Sequence, residues 1–346
     1  MGRNNSFDLI RHFAALLVLY SHQHALLLLP EPIFLHWDTL GTTAVILFFS
    51  ISGYFMPGSF TRAGNFTNYL FRRCRRIFPG LIVCSFMMCY LIGGIFTTES
   101  SLEYLLSPST LITSLLYCIF LHKQIPGVFS DFLYKNAING SLWTLPIEFA
   151  YYILLGAVLS LANTWRIVLL LFVVLVFTNL ALTFTKIGTL FYVNVFHIHY
   201  IALYGIAFTT GSLMAMLQKY WLPFKHYLLF IALISLFNFQ GHLLMSLFGT
   251  LSLSIIIIVT GISFQDKWIK GRFDLSYGIY IYAFPIQQVV INLISQNFWL
   301  SMSISISFTL LIAFLSYKFV EKPFLYNKHS SNQSALSSIP IEQSRI

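Results

Sequence analysis

Long apolar runs, each separated from the next by a short polar stretch, set the pattern of this chain. Ten of them read as helices that cross a bilayer, near residues 8–29, 41–58, 76–96, 143–162, 166–185, 198–217, 225–239, 243–263, 275–296 and 299–320. A spanning β-barrel would show short alternating segments instead. The pattern predicts an all-α, polytopic membrane protein of about ten transmembrane helices. The segment 97–140 changes character: Ser, Thr and Glu appear around an apolar run at 111–121 that is too short to span. It reads as a re-entrant or interfacial piece near 109–123. From about Lys328 the chain turns rich in Ser and Asn. Residues 1–326 are therefore expected to form one membrane domain, and 327–346 a disordered tail.

Composition and charge sharpen the pattern. The 346 residues are 57% hydrophobic and 9% charged, with a mean hydropathy of +0.77, against about 25% charged in a soluble protein. A net charge of +9 raises nucleic acid as a partner, but the placement of the bases argues for topology. With the N-terminus inside, 17 of the 20 Lys and Arg fall on cytoplasmic segments; Lys123, Lys135 and Lys186 fall outside. That asymmetry places both termini in the cytoplasm. The first span carries Asp8 and lacks a small-residue cleavage site, so it reads as a retained helix. Cys74, Cys84, Cys89 and Cys118 form no C-x-x-C pair and read as apolar fillers. No metal site is expected.

The first helix holds the most informative residues. At about 100° per residue, Arg11 and His22 lie roughly 20° apart around the helix and Asp8 roughly 40° from His22, so all three share one face. Along the axis Arg11 and His22 are roughly 16 Å apart. Ionisable groups at such depth face the bundle interior and mark a functional path; the plainer reading is a terminal Asp8–Arg11 pair and a histidine bonded between helices. Glu148 sits about two turns into a helix entering from the other side. The two depths make His22 and Glu148 neighbours, and a carboxylate beside an imidazole suits general-base catalysis. Proton transport uses the same residue types.

Further polar groups punctuate the spans. Arg72, Arg73, Arg75 and Arg76 crowd the start of the third helix. They serve either as a topology anchor on lipid phosphate or as a clamp for a phosphorylated ligand. Ser50, Ser52 and Gly53 suit close helix packing as well as ligand contact. Gln287 and Gln288 need partners, implying interhelical bonds or a polar cavity. His197, His199, Tyr200 and Tyr204 read as interfacial anchors.

In order along the chain, Arg11-x10-His22, FFSISGYF (48–55), Arg73-x-x-Arg76-Ile77-x-Pro79, NGSLWTLPIE (139–148), SYGIYIYAFPI (276–286) and FVEKPF (319–324) resemble the acyltransferase-3 family of bacterial membrane acyltransferases. The resemblance covers about residues 7–325. It implies a ten-helix enzyme of the bacterial inner membrane that takes an acyl group, most often acetyl, from cytoplasmic acyl-CoA. The acceptor it implies is a sugar hydroxyl of an envelope glycan, commonly lipopolysaccharide O-antigen. By the same resemblance His22, Arg11 and Glu148 are the catalytic residues and Arg73 and Arg76 the acyl-CoA site; Asp8, as the partner of Arg11, is expected with the first group, and Arg72 and Arg75 of the same arginine cluster with the second. Ser52, Tyr54, Ser141, Trp143, Tyr277, Tyr280 and Gln287 are the expected substrate-pocket residues. Acetyl-CoA enters as a co-substrate and no cofactor stays bound. Ala283 stands where many members carry His, and no C-terminal extension suggests a fused esterase-like domain, so a stand-alone transferase is expected. Two rival classes remain at this point: a proton-coupled carrier using a His22–Glu148 pair, and an assembly subunit whose polar residues only join helices.

Overall fold

The computed structural model describes residues 5–121, 124–125, 127–184, 198–267, 269 and 271–325; the expected tail, Lys123, Lys186 and His197 lie outside them. The longer helices among the described residues are α1 (Phe7–Leu26), α2 (Leu40–Ala63), α3 (Phe66–Phe86), α4 (Pro108–Cys118), α5 (Leu145–Leu161), α6 (Trp165–Phe184), α7 (Ile198–Met216), α8 (Lys225–Asn238), α9 (Met245–Ser263), α10 (Ser276–Leu293) and α11 (Phe298–Ser316). All but α4 match the ten expected spans. Eight of those ten, with their helical extensions, are long and apolar enough to cross a membrane on length and composition. The exceptions are α1 and α10, the two that spend apolar positions on polar side chains. The apolar run in 97–140 forms α4, whose eleven residues rise about 16 Å, short of a bilayer core. A two-residue antiparallel pair, Ile33–Phe34 with Asp38–Thr39, folds the α1–α2 connection.

Two boundaries differ from the sequence reading. Helix α2 runs past Pro57 to Ala63, where Gly64 adopts φ 78° and ends it; Asn65 then caps α3 by accepting from the Asn68 N–H. Helix α3 therefore starts at Phe66, ten residues earlier than expected, and its arginines lie within its first turns. Pro57 survives inside α2 because the carbonyl it deprives of a donor, that of Gly53, accepts from the Ser212 hydroxyl at 2.9 Å. Pro285 is handled the same way in α10. The carbonyl four residues before it, Ile281, accepts from Asn139 Nδ2 at 2.8 Å and from Cys84 Sγ at 3.4 Å.

Helix α2 is the buried axis of the bundle, with α1, α7 and α9 packed along it. Its approach to α7 is set by two glycines. A Cβ on Gly53 would fall onto the Phe208 carbonyl, and one on Gly211 onto the Ser50 carbonyl, so the backbones touch only because neither has a side chain. Ser50 adds a hydroxyl bond to Ser254 of α9 at 2.8 Å. Substituting Gly211→Leu is expected to destabilise the bundle by about 3 kcal/mol or to prevent assembly. Gly58→Ala, whose Cβ meets only the end of the Arg62 side chain, should be tolerated; thermal unfolding of the two variants in detergent checks both. The outer faces of α6, α8 and α11 expose Leu170, Phe177, Phe230, Phe237, Phe308 and Leu311. An apolar exterior around a polar-lined interior is what lipid as a solvent requires.

Candidate active site

A cavity of about 730 Å³, mouth included, opens between α1, α2, α3, α5 and α10. Arg11, Arg73 and Arg76 line one end of it. Arg73 and Arg76 are three residues apart on α3 and so share a face. Arg72 is exposed outside the cavity, and the Arg75 guanidinium lies over the Phe71 ring at 5.7 Å. Two of the four arginines expected to bind donor thus point elsewhere, because consecutive helical positions turn by about 100°.

The three cavity cations are not equivalent. Arg76 Nη2 is ion-paired with Asp274 Oδ2, and Arg11 Nη1 stands 3.6 Å from the same oxygen and 3.8 Å from Asp8. The Arg11 guanidinium also sits 5.3 Å from the Phe55 ring centre. The Asp8–Arg11 pair expected from the sequence is therefore present, but it is loose and shared with a residue the sequence reading passed over. Burial alone would raise the Asp274 carboxyl, but Arg76, Arg11 and the Ser276 hydroxyl outweigh it and hold the group below the usual carboxylate range. Arg73 forms no ion pair among the described residues, and its buried Nε has no hydrogen-bond partner. An unpaired buried donor on a cation is costly unless a ligand supplies the acceptor.

Further in, Glu148 of α5 lines the cavity and accepts from Ser52 Oγ at 2.7 Å and from the Tyr152 hydroxyl one turn along its own helix. Tyr277 and Tyr280 of α10 form the opposite wall. Tyr277 donates to the Ile77 carbonyl at 2.7 Å, tying α10 to α3. Tyr280 donates to the Ser141 carbonyl at 2.8 Å and bonds Thr144.

Ser141 leads to His22. Its hydroxyl lies 3.4 Å from His22 Nδ1, and the Phe284 ring meets the imidazole edge-on at 5.2 Å. Asn139 holds this corner: its Oδ1 accepts from the Ser141 N–H at 3.0 Å while its Nδ2 serves the Ile281 carbonyl that Pro285 leaves free. Gly140 completes it, since a Cβ there would run into the Phe284 ring. The expected His22–Glu148 pair is not formed. Seven residues separate Ser141 from Glu148, about 10 Å of helical rise, so Glu148 lies nearer Arg11 than His22 does. Ser141 lies just ahead of the 3-10 turn Leu142–Thr144 that leads into α5, and it is this end of the segment that meets His22.

Three other expected pocket residues serve packing. The Tyr54 hydroxyl bonds Gln218 at 3.0 Å, and its ring lies against Phe7. Trp143 packs on Tyr200 and Tyr204, each at 6.0 Å; Tyr204 is fully buried and is no interfacial anchor. Gln287 donates to the Leu19 carbonyl and to Gln23, which in turn donates to Ser301, joining α10, α1 and α11. Asp274, Tyr152 and Asn139 are the residues the sequence reading missed. Asp274 did carry a local signal, an acid two residues before Ser276 at a helix start.

The chain matches the acyltransferase domain family over residues 4–318. It is 37% identical over 331 residues to a protein of Shigella phage Sf6 named O-acetyl transferase, covering 94% of this chain and 97% of that one. It is 31% identical over 172 residues to nodulation protein 10 of Rhizobium leguminosarum bv. viciae, covering 48% of this chain and 47% of the relative. No solved structure matches. These matches set aside the carrier and assembly-subunit readings. With long apolar helices and a polar cavity among the described residues, and a family match over nearly its whole length, the chain belongs to the acyltransferase-3 family and is an integral membrane acyltransferase.

Proposed function

We propose that this enzyme sits in the bacterial inner membrane with both termini in the cytoplasm and moves an acetyl group from acetyl-CoA to a sugar hydroxyl of a cell-envelope glycan such as lipopolysaccharide O-antigen. The observation that carries the reading is the cavity, with an unpartnered guanidinium N–H at Arg73 at one end and Tyr280 in its wall, whose hydroxyl donates to the carbonyl of Ser141, the residue whose side chain lies against His22. The phosphates of acyl-CoA suit that end chemically, since guanidinium forms charge-assisted, forked bonds to phosphoryl oxygens. The name of the phage relative, O-acetyl transferase, supports acetyl as the group moved and oxygen as the acceptor atom.

Acyl-CoA supplies an activated acyl carbonyl in its thioester; the protein's part is to hold and deprotonate. With the His22 Nδ1 proton directed at Ser141 Oγ, Nε2 is left to take the proton of an attacking hydroxyl as its oxygen bonds the acyl carbon; the C–S bond then breaks and the proton passes to the departing CoA thiolate. The Phe284 edge and the Ser141 bond restrict the ring, which is the positioning part of the work. Bonds of this kind are commonly long without substrate and tighten with it.

Transfer of label from acetyl-CoA into envelope glycan, in membranes containing the protein and in matched membranes without it, tests the reading. Incorporation only with the protein is expected; none from acetyl-CoA would remove the donor assignment. Arg73→Gln is expected to raise the KM for acetyl-CoA by about tenfold or more, the scale of one charge-assisted hydrogen bond, with a smaller change in kcat. Initial rates across donor concentration measure it.

A further inference from the structure

We propose that Asp274 is a positioning residue of the donor site: it anchors the guanidiniums of Arg76 and Arg11 and leaves Arg73 as the cation that meets the donor phosphate. The proposal rests on the reading of the arginine cavity as an acyl-CoA site and goes further by dividing the labour among its cations.

The carboxylate is gripped through both oxygens. Oδ2 holds Arg76 and lies 3.6 Å from Arg11, while Oδ1 accepts from the Ser276 N–H at 3.1 Å and from the Ser276 hydroxyl, at the first residue of α10. The neighbouring backbone is latched as well. The Leu275 N–H donates to His12 Nε2 at 3.0 Å, so Nε2 carries no proton and Nδ1, 2.7 Å from the Asp8 carbonyl, carries it. The Phe273 ring meets His12 edge-on at 6.0 Å. Asp274 is thus bound to the start of α10, and its loop is bound to α1. Fixed in this way, it sets where the two arginines point.

Charge follows the same division. Arg76 faces Asp274 directly, with the buried Glu321 as a further acidic neighbour, and Arg11 is shared between Asp8 and Asp274. Arg73 has neither an ion pair among the described residues nor a partner for Nε. A phosphate entering the cavity meets one guanidinium with unused donors and two whose orientation is already set. Preorganised donors of this sort lose little freedom on binding.

The alternative role for Asp274 is that of an internal anion occupying the place of a phosphate, and the two roles differ in sign. The experiment compares kcat/KM for acetyl-CoA with kcat/KM for S-acetyl-pantetheine, which has the thioester and no phosphate, using the full-length protein in membranes. Asp274→Asn is expected to lower the ratio of the two by about tenfold, and Asp274→Glu, which keeps the charge, to recover part of it. An unchanged ratio with both donors equally impaired would make the residue merely structural, and a raised ratio would make it a competitor; either overturns the proposal. Wild-type enzyme using both donors with the same kcat/KM would remove the phosphate reading itself, and this proposal with it. Should Asp274→Asn fail to accumulate, His12→Ala removes the latch on Leu275, together with the bond to the Asp8 carbonyl and the Phe273 contact, while leaving the Asp274 carboxylate in place, and is expected to lower the same ratio by about threefold; an unchanged ratio there counts against the proposal equally.

Discussion

His22→Ala is expected to reduce acyl transfer by about a thousandfold, the contribution typical of a positioned general base, while leaving the protein folded. The imidazole makes one hydrogen bond, to Ser141, and one ring contact, to Phe284, among the described residues. Its loss leaves a small void and no unpaired buried charge, so the stability penalty should be modest. The effect should fall on kcat with little change in the KM for acetyl-CoA, because the proposed donor site lies at the arginine end of the cavity, with Arg11 about 16 Å from His22 along α1. A base that must be neutral to act also gives the rate an acid limb, and that limb should vanish from whatever residual rate His22→Ala retains. Wild-type transfer by His22→Ala at matched expression would end the assignment. Ser141→Ala, which removes only the orienting hydroxyl, is expected to cost about tenfold.

Glu148→Gln is expected to lower kcat by about thirtyfold, for a different reason. The carboxylate collects two hydroxyl donors, Ser52 and Tyr152, in the cavity that Arg73 shares. Both bonds are charge-assisted. An amide keeps one acceptor oxygen but removes the negative charge that strengthens both bonds in a low-dielectric interior. Ser52→Ala and Tyr152→Phe each remove one donor and should each cost less. Because Glu148 does not touch His22, the acid limb of the pH–rate profile should keep its position in Glu148→Gln. A shift of that limb would show that the two groups couple during turnover, and the separated geometry would then be the wrong description of the working enzyme.

The all-helical membrane fold and the polar face of α1 were legible because both depend on period and length. A bilayer demands runs of about 20 apolar residues, and 100° per residue places Asp8, Arg11 and His22 on one side whatever surrounds them. Arg73 and Arg76 were legible as a pair for the same reason, and the same rotation explains why Arg72 and Arg75 leave the cavity. The end of α2 was misplaced because a proline inside a helix is survivable only if a donor elsewhere serves the freed carbonyl. Ser212, 159 residues away, does so for Gly53.

Partners across the bundle obey no such local rule. Nothing in the spacing of Asp274 from Arg11 and Arg76, residues 263 and 198 positions distant by number, announces that one carboxylate holds both. Depth counted along each helix makes Glu148 and His22 neighbours, whereas the assembled bundle brings Glu148 to Ser52 and Tyr152 and His22 to Ser141. Residue types and faces follow from local geometry, so the chain's own order settled which groups are available and that they lie within a membrane. Which of them meet depends on how far each helix is displaced along its neighbour. That displacement is set where Gly53 and Gly211 let backbones touch and where Asn139 ties a loop to a proline-broken helix, contacts that exist only once the whole bundle has assembled.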